Sequence, residues 1–128
     1  MTKYEIFKKD RVLCFRLYGQ LDVETAKAYY LAVKQLIGEL NDGWASLVDL
    51  NDWGLHIPEI TQKMASFHEW LSKSGHEVEV CITGGSNLKA MARKKLLDES
   101  ATSLKVVYVD TEEEGWQWLY EHGFVNKI

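Results

Sequence analysis

The residues of this chain that could do chemistry are concentrated in VDLNDWG, Val48 to Gly54. Asp49 and Asp52 stand three residues apart at the end of an apolar run, where the chain is expected to turn. Two carboxylates so placed could hold a metal ion, accept a phosphoryl group, or only cap the turn and face water.

A phosphoryl-accepting aspartate, as in a response-regulator receiver, needs clustered acids for Mg²⁺, a hydroxyl on a later strand and a lysine on the last strand. Thr83 could supply the hydroxyl, but the last predicted strand ends Val109-Asp110, without a lysine. The first strands end in no acidic pair. We therefore favour a structural role for Asp49 and Asp52 and expect no catalytic residue.

A second candidate is the stretch TGGSN, Thr83 to Asn87, between a predicted strand and a predicted helix. Its backbone N–H groups and the positive helix end could hold a phosphate or carboxylate, and Lys89 and Arg93 would add positive charge. A full nucleotide-binding glycine motif is missing. In the simpler interpretation the glycines make the turn and Ser86 caps the helix. The candidate ligand-binding residues here are Gly84, Gly85 and Ser86.

Apolar side chains follow the strand end in the opening stretch, where polar residues are expected. Exposed apolar patches mark partner, lipid or ligand surfaces. We predict that Trp53, Leu55 and Ile57 make apolar contacts with a partner, with Asp52 and His56 as a polar rim. The full predicted contact segment is Asn51, Asp52, Trp53, Leu55, His56 and Ile57.

Metal and cofactor sites are not expected from the sequence. The four histidines are scattered, and no HExxH or Cys/His cluster occurs. Cys14 and Cys81 lie inside apolar strand-like runs, which predicts reduced, buried thiols.

Length and composition predict one globular domain over residues 1–128, with 46% hydrophobic and 27% charged residues. The net charge of -4 argues against general nucleic-acid binding, which needs a cationic surface. The N-terminal MTKYEIFKKD has no apolar signal region, and no apolar segment has the length of a membrane span. A cytoplasmic protein is expected.

Hydrophobic periodicity predicts an N-terminal hairpin followed by alternating helices and strands. The order β-β-α-β-α-β-α-β-α implies an α/β fold with a mostly parallel five-stranded sheet and four helices on both faces. In such sheets ligands bind at the carboxyl edge of the strands. The predicted strands are 4–8, 12–19, 44–50, 78–83 and 104–109, and the predicted helices are 23–40, 58–74, 87–100 and 112–122.

This order resembles a STAS domain, the fold of the SpoIIAA-like anti-sigma factor antagonists. YGQLD resembles the entry to the first helix of that fold, LVDL its third strand, and VVYVDTEEEGWQWL its closing strand, acidic turn and helix. Signalling members carry a phosphorylated serine or threonine near the start of the second helix. The corresponding position here is Ile57-Pro58-Glu59, which has no hydroxyl. The resemblance implies the scaffold and its docking side without that switch.

The sequence thus predicts a non-enzymatic binding domain that acts through a protein partner or self-association at the carboxyl edge. The alternative is a pocket for a small anionic or lipid-like ligand, between the Trp53 loop and the Gly84–Ser86 turn.

Overall fold

The computed structural model describes residues 4–17, 23–38, 40, 43–50, 75–99 and 105–126. Its elements occur in the predicted order, while the predicted helix 58–74 lies outside the described residues. The strands are β1 (Tyr4–Lys9), β2 (Val12–Leu17), β3 (Trp44–Asp49), β4 (His76–Ile82) and β5 (Lys105–Val109). The helices are α1 (Val23–Ile37), α2 (Asn87–Glu99) and α3 (Glu112–Glu121).

The strands form one sheet in the order β1-β2-β3-β4-β5, which confirms the predicted α/β class. β1 and β2 are antiparallel because only the turn of Asp10 and Arg11 joins them, with Asp10 at a φ of 51°. The pairs β2–β3, β3–β4 and β4–β5 are parallel. β3 is buried along nearly its whole length, as its apolar sequence predicts.

Helices cover both faces of the sheet, as predicted. Successive side chains of a strand point to opposite faces. Leu13 and Phe15 therefore pack with α1 and α2 on the first face, while Val12 and Cys14 pack with α3 on the second. α1 and α2 lie on one side of the sheet, and α3 folds back over the other side after the last strand.

Tyr29 and Val33 anchor α1 on the first face and are 4% and 0% exposed. Tyr29 is more deeply buried than its neighbour Tyr30, which is half-buried. The rings of Tyr4 and Phe15 lie 5.5 and 5.7 Å from the Tyr29 ring, so an aromatic cluster joins α1 to the hairpin.

The amino edge of the sheet is held together by Arg11, in the turn between β1 and β2. Its Nη1 donates to Gly43 O at 2.8 Å and its Nη2 to Gly123 O at 3.1 Å. The guanidinium also lies 4.9 Å from the centre of the Phe124 ring. These contacts join the start of β3 and the chain after α3 to the hairpin, and they give the amino edge a structural role.

Helix α3 lies close against the sheet at Gly115, which is buried. A Cβ atom at this position would lie 2.8 Å from Leu47 Cδ1, too close for an undisturbed contact. α3 begins three residues before Gly115, at Glu112, and Thr111 caps it because its Oγ1 accepts from Glu114 N at 3.2 Å.

We expect Gly115→Ala to lower the free energy of unfolding by about 1–3 kcal/mol, because the crowding of Leu47 outweighs the helix propensity of alanine. Urea unfolding measures the change. Gly38→Ala is the matched control, since among the described residues a Cβ atom there would meet only Gln35 O, at 3.5 Å. Equal stabilities of the two variants would show that α3 has room to move away from the sheet.

Candidate functional site

The carboxyl edge of the sheet is described at the ends of β3, β4 and β5. Of the predicted site residues, Gly84, Gly85 and Ser86 fall within the described part of the chain, directly after β4. The rest of the predicted contact surface lies outside the described residues, namely Asn51, Asp52, Trp53, Leu55, His56 and Ile57.

The turn after β4 needs its two glycines for their conformation. Gly84 and Gly85 have φ angles of 63° and 80°, in the left-handed region that side chains disfavour. Ser86 then caps α2, because its Oγ accepts from Lys89 N at 3.2 Å. The simpler of the two interpretations of TGGSN therefore describes what these residues do in the fold.

The same turn is poorly suited to an anion. Gly84 N donates to Asp110 O at 3.1 Å, and Ser86 N donates to Thr83 O at 3.2 Å, so these two N–H groups are already used. Asp110 follows β5 beside the turn, and its Oδ1 lies 4.0 Å from where a Cβ of Gly85 would stand. A carboxylate so close to the turn opposes a bound phosphate or carboxylate.

Arg93 does not add positive charge to this turn, and that part of the prediction is wrong. Its side chain is 2% exposed and points into the core, where Nε and Nη2 bind the carboxylate of Glu79. The helical spacing placed Arg93 one turn after Lys89, but packing of α2 on β4 puts its side chain under the helix.

Asp49 ends β3 and lies near a surface ion-pair cluster around Arg16. Its Oδ2 is 3.9 Å from Arg16 Nε, and the same guanidinium binds Glu112 Oε1 and, at 3.4 Å, Glu5 Oε2. The hydrogen bond with Glu112 is the main cause of the raised pKa of Arg16. This arrangement fits the structural role favoured for Asp49.

Thr83, the hydroxyl that a phosphoryl-transfer site would use, donates to Val109 O at 3.4 Å. No group of three metal-ligating side chains occurs among the described residues. Of the groups that phosphoryl transfer would use, Asp49 is ion-paired with Arg16 and the Thr83 hydroxyl donates to Val109 O.

Two apolar side chains on α2 are exposed to solvent. The sequence pattern did not identify them as surface residues. Leu88 and Met91 are 65% and 69% exposed, and they lie one turn apart, directly after the exposed glycines Gly84 and Gly85. The apolar residues of α2 are spread around the helix, so its sequence does not show which of them are exposed, and sequence reasoning missed this pair. They give the described carboxyl edge an apolar surface.

Solved structures with a similar fold include the following two. A crystal structure of a DUF3478-family protein with a SpoIIAA-like fold, from Shewanella loihica, matches with a TM-score of 0.71 and 12% identity over 91% of each chain. The chain has a SpoIIAA-like fold. An anti-sigma factor antagonist from Mycobacterium paratuberculosis matches with a TM-score of 0.56 and 16% identity over 90% of this chain and 91% of the other. No protein-family model matches the chain, and its sequence has no significant match among curated proteins.

In this SpoIIAA-like fold α2 is fixed to the sheet by a buried ion pair. Arg93 Nε donates to Glu79 Oε2 at 2.8 Å and Nη2 to Glu79 Oε1 at 2.6 Å, a bidentate geometry. Burial alone would lower the pKa of Arg93, but the adjoining carboxylate more than offsets this and the pKa is raised. The pair joins α2 to β4 on the buried side of the helix.

Further reactive residue types lie in the same core. Ser46 Oγ and His76 Nε2 are 2.8 Å apart, and Cys81 Sγ donates to Glu79 Oε2 at 2.9 Å. Burial raises the pKa of Cys81, as does the negative charge of Glu79. Their exposed fractions, 0% for Ser46 and Cys81 and 7% for His76, identify them as core residues. Cys14 and Cys81 are both free and buried, as predicted.

None of the helices in the described ranges combines the length and the apolar character that a bilayer span requires.

Proposed function

We propose that this chain is a non-catalytic, protein-binding regulatory domain that binds its partner at the carboxyl edge of the sheet. The observation that carries the proposal is the exposure of Leu88 and Met91 beside the Gly84–Gly85 turn. An apolar surface at this edge suits contact with a protein, because burying it on binding is favourable.

The fold also supports a protein-binding role. The M. paratuberculosis protein is by its name an antagonist of an anti-sigma factor, so a protein of this architecture acts on another protein. In our proposal the predicted segment from Asn51 to Ile57 extends the surface formed by Leu88 and Met91. Because Ile57-Pro58-Glu59 carries no hydroxyl, this binding is independent of phosphorylation at that position.

Photo-crosslinking from position 91 tests the proposal. A photoreactive residue replaces Met91 in the protein expressed in its own host, and crosslinked products are identified by mass spectrometry. Tyr120 is the control position, because it is 46% exposed but lies on α3, at the opposite face of the sheet. We expect one defined protein partner from position 91 and none of it from position 120.

The affinity of the purified partner for variants of this chain then tests the surface quantitatively. We expect Leu88→Ser/Met91→Ser to weaken binding by about a hundredfold, as for the loss of two apolar contacts at an interface. Tyr120→Ser should bind normally, and circular dichroism checks that each variant is folded. Trp53→Ala/Ile57→Ala tests the predicted loop in the same assay, and normal binding by that variant removes the loop from the surface.

Two results would replace this function with another. If position 91 crosslinks a second copy of this chain, the partner is the chain itself. Sedimentation equilibrium would then show a dimer that Leu88→Ser/Met91→Ser weakens. If position 91 yields no protein product and native mass spectrometry shows a small molecule that co-purifies, the ligand-pocket alternative is favoured.

A further inference from the structure

A groove on the second face of the sheet lies between α3 and the edge strand β5, away from Leu88 and Met91. It is open to solvent and has a volume of about 400 Å³. It is lined by Val109, Glu113, Glu114, Gln117, Trp118 and Glu121.

The strand beside this groove is the exposed edge of the sheet. In the described sheet β5 pairs with β4 on one side only. Each of its five residues is at least partly exposed, whereas β3 is buried at all positions but its last. An exposed edge strand offers backbone groups that can pair with another extended chain.

The helical wall of the groove is strongly acidic. Glu113, Gln117 and Glu121 recur at every fourth position and so share one side of α3, with Glu114 beside them. The three glutamates are exposed, and the groove lining contains no basic residue. A partner segment that enters here therefore needs positive charge.

Trp118, the aromatic residue of the groove, already has a lysine of the same chain near its ring. Lys105 Nζ lies 5.4 Å from the centre of the Trp118 ring. The ring is held in place by stacking with His122, whose centroid is 3.8 Å away. A Trp face beside carboxylates is a favourable environment for lysine or arginine.

We propose that β5 and this groove bind an extended basic segment of a partner protein, which pairs with β5 and directs every second side chain toward α3. The spacing of the acidic side chains on α3 matches the spacing of side chains on an extended strand. Glu113 and Glu121 are eight residues apart, which is about 12 Å along a helix. Side chains four residues apart on a strand are separated by about 13 Å. A second copy of this chain would bring two acidic helices together, which disfavours it as the occupant.

Titration with synthetic peptides tests this proposal on the full chain. The probe is a capped peptide of alternating lysine and valine, six residues long. One control replaces its lysines by glutamate, and another carries N-methyl groups on alternate residues, which removes strand pairing but keeps the charge. We expect only the unmethylated lysine peptide to bind and to slow amide hydrogen exchange in β5. The other edge strand, β1, should be unaffected.

Variants of the groove should change affinity in opposite directions. Glu113→Gln/Glu121→Gln should weaken peptide binding about tenfold in calorimetry, and Lys105→Met should strengthen it about threefold, because it removes a like charge. All three substitutions are at exposed positions, and rising salt should weaken binding to the wild type.

Equal binding of the methylated peptide, equal affinity of the double glutamine variant, or protection at β1 would each overturn the proposal. Self-association through β5 in the absence of peptide would assign the groove to a second copy and would also overturn it. Leu88→Ser/Met91→Ser should leave peptide binding unchanged, so failure here is distinguishable from failure of the proposed function.

Discussion

Arg93→Met is expected to lower the free energy of unfolding by about 3–5 kcal/mol, which would make it among the most destabilising single changes in the described part of the chain. The reason is that Glu79, 1% exposed, would be left as an uncompensated buried carboxylate. Chemical denaturation of the purified variant at neutral pH measures the effect.

The stabilities of two further variants test the role of the buried Glu79–Arg93 pair. In Glu79→Leu/Arg93→Met no charge is left unpaired, so we expect the double variant to be more stable than Arg93→Met alone. Arg16→Met breaks an ion pair whose side chains are 32% and 41% exposed, and it should cost at most about 1 kcal/mol. Equal costs for Arg93→Met and Arg16→Met would contradict the role of the buried pair.

The Glu79–Arg93 pair also lies close to the proposed binding surface. Arg93 lies on α2 less than one turn after Met91 and binds Glu79 of β4 on the buried side of the helix, while Leu88 and Met91 are exposed. Glu79→Leu/Arg93→Met therefore tests whether the pair also orients the binding surface. We expect it to bind the partner more weakly than its stability alone would suggest.

Acidification from pH 6.5 to 4 is expected to remove about 3 kcal/mol of stability through His76 alone. Burial is the main cause that lowers its pKa from 6.5 to about 4, with Arg93 acting in the same direction and Glu79 opposing both. The ring is stacked on Trp44 at 4.3 Å, where a water shell around the charged form has little room.

Stability falls with falling pH because His76 is protonated at different pH values in the folded and the unfolded chain. Above pH 6.5 His76 is neutral in both the folded and the unfolded chain and does not affect stability. Between pH 6.5 and 4 the unfolded chain binds a proton that the folded chain resists, so stability falls as pH falls. Below about pH 4 both states are protonated and the loss from this group is complete.

Unfolding curves at a series of pH values isolate this contribution. His76→Gln should flatten the dependence of stability on pH between 6.5 and 4, even if it lowers stability at neutral pH. A wild-type slope retained in His76→Gln would mean that other groups cause the acid sensitivity.

Local sequence was sufficient for the order of elements and for most of their ends. The apolar runs of β3 and β4 predict buried strands, and the three residues between the first two runs predict a hairpin. Thr111 and Glu114 mark the start of α3 by their own side-chain chemistry. These features are readable because each depends on residues a few positions apart.

Which residues of α2 face the core was decided only by tertiary structure. Its charged Arg93 is buried and its apolar Leu88 and Met91 are exposed, the reverse of what side-chain polarity predicts. Glu79 is buried by the same contact, although a glutamate inside VEVCIT gives no sign of a partner 14 residues later. The apolar residues of α2 are spread around the helix, so its sequence does not define one inner face.

One of the candidate sites could be predicted from local sequence, and the other required the tertiary structure. The glycine turn after β4 was predictable, because left-handed backbone needs glycine whatever surrounds it. The acidic groove required the structure, since it arises where α3 folds back beside β5, which packing alone leaves at the edge of the sheet. Sequence alone determined the elements and the order in which they are joined. The tertiary structure decided which side chains meet partners and which are buried, because burial depends on contacts between residues far apart in the chain.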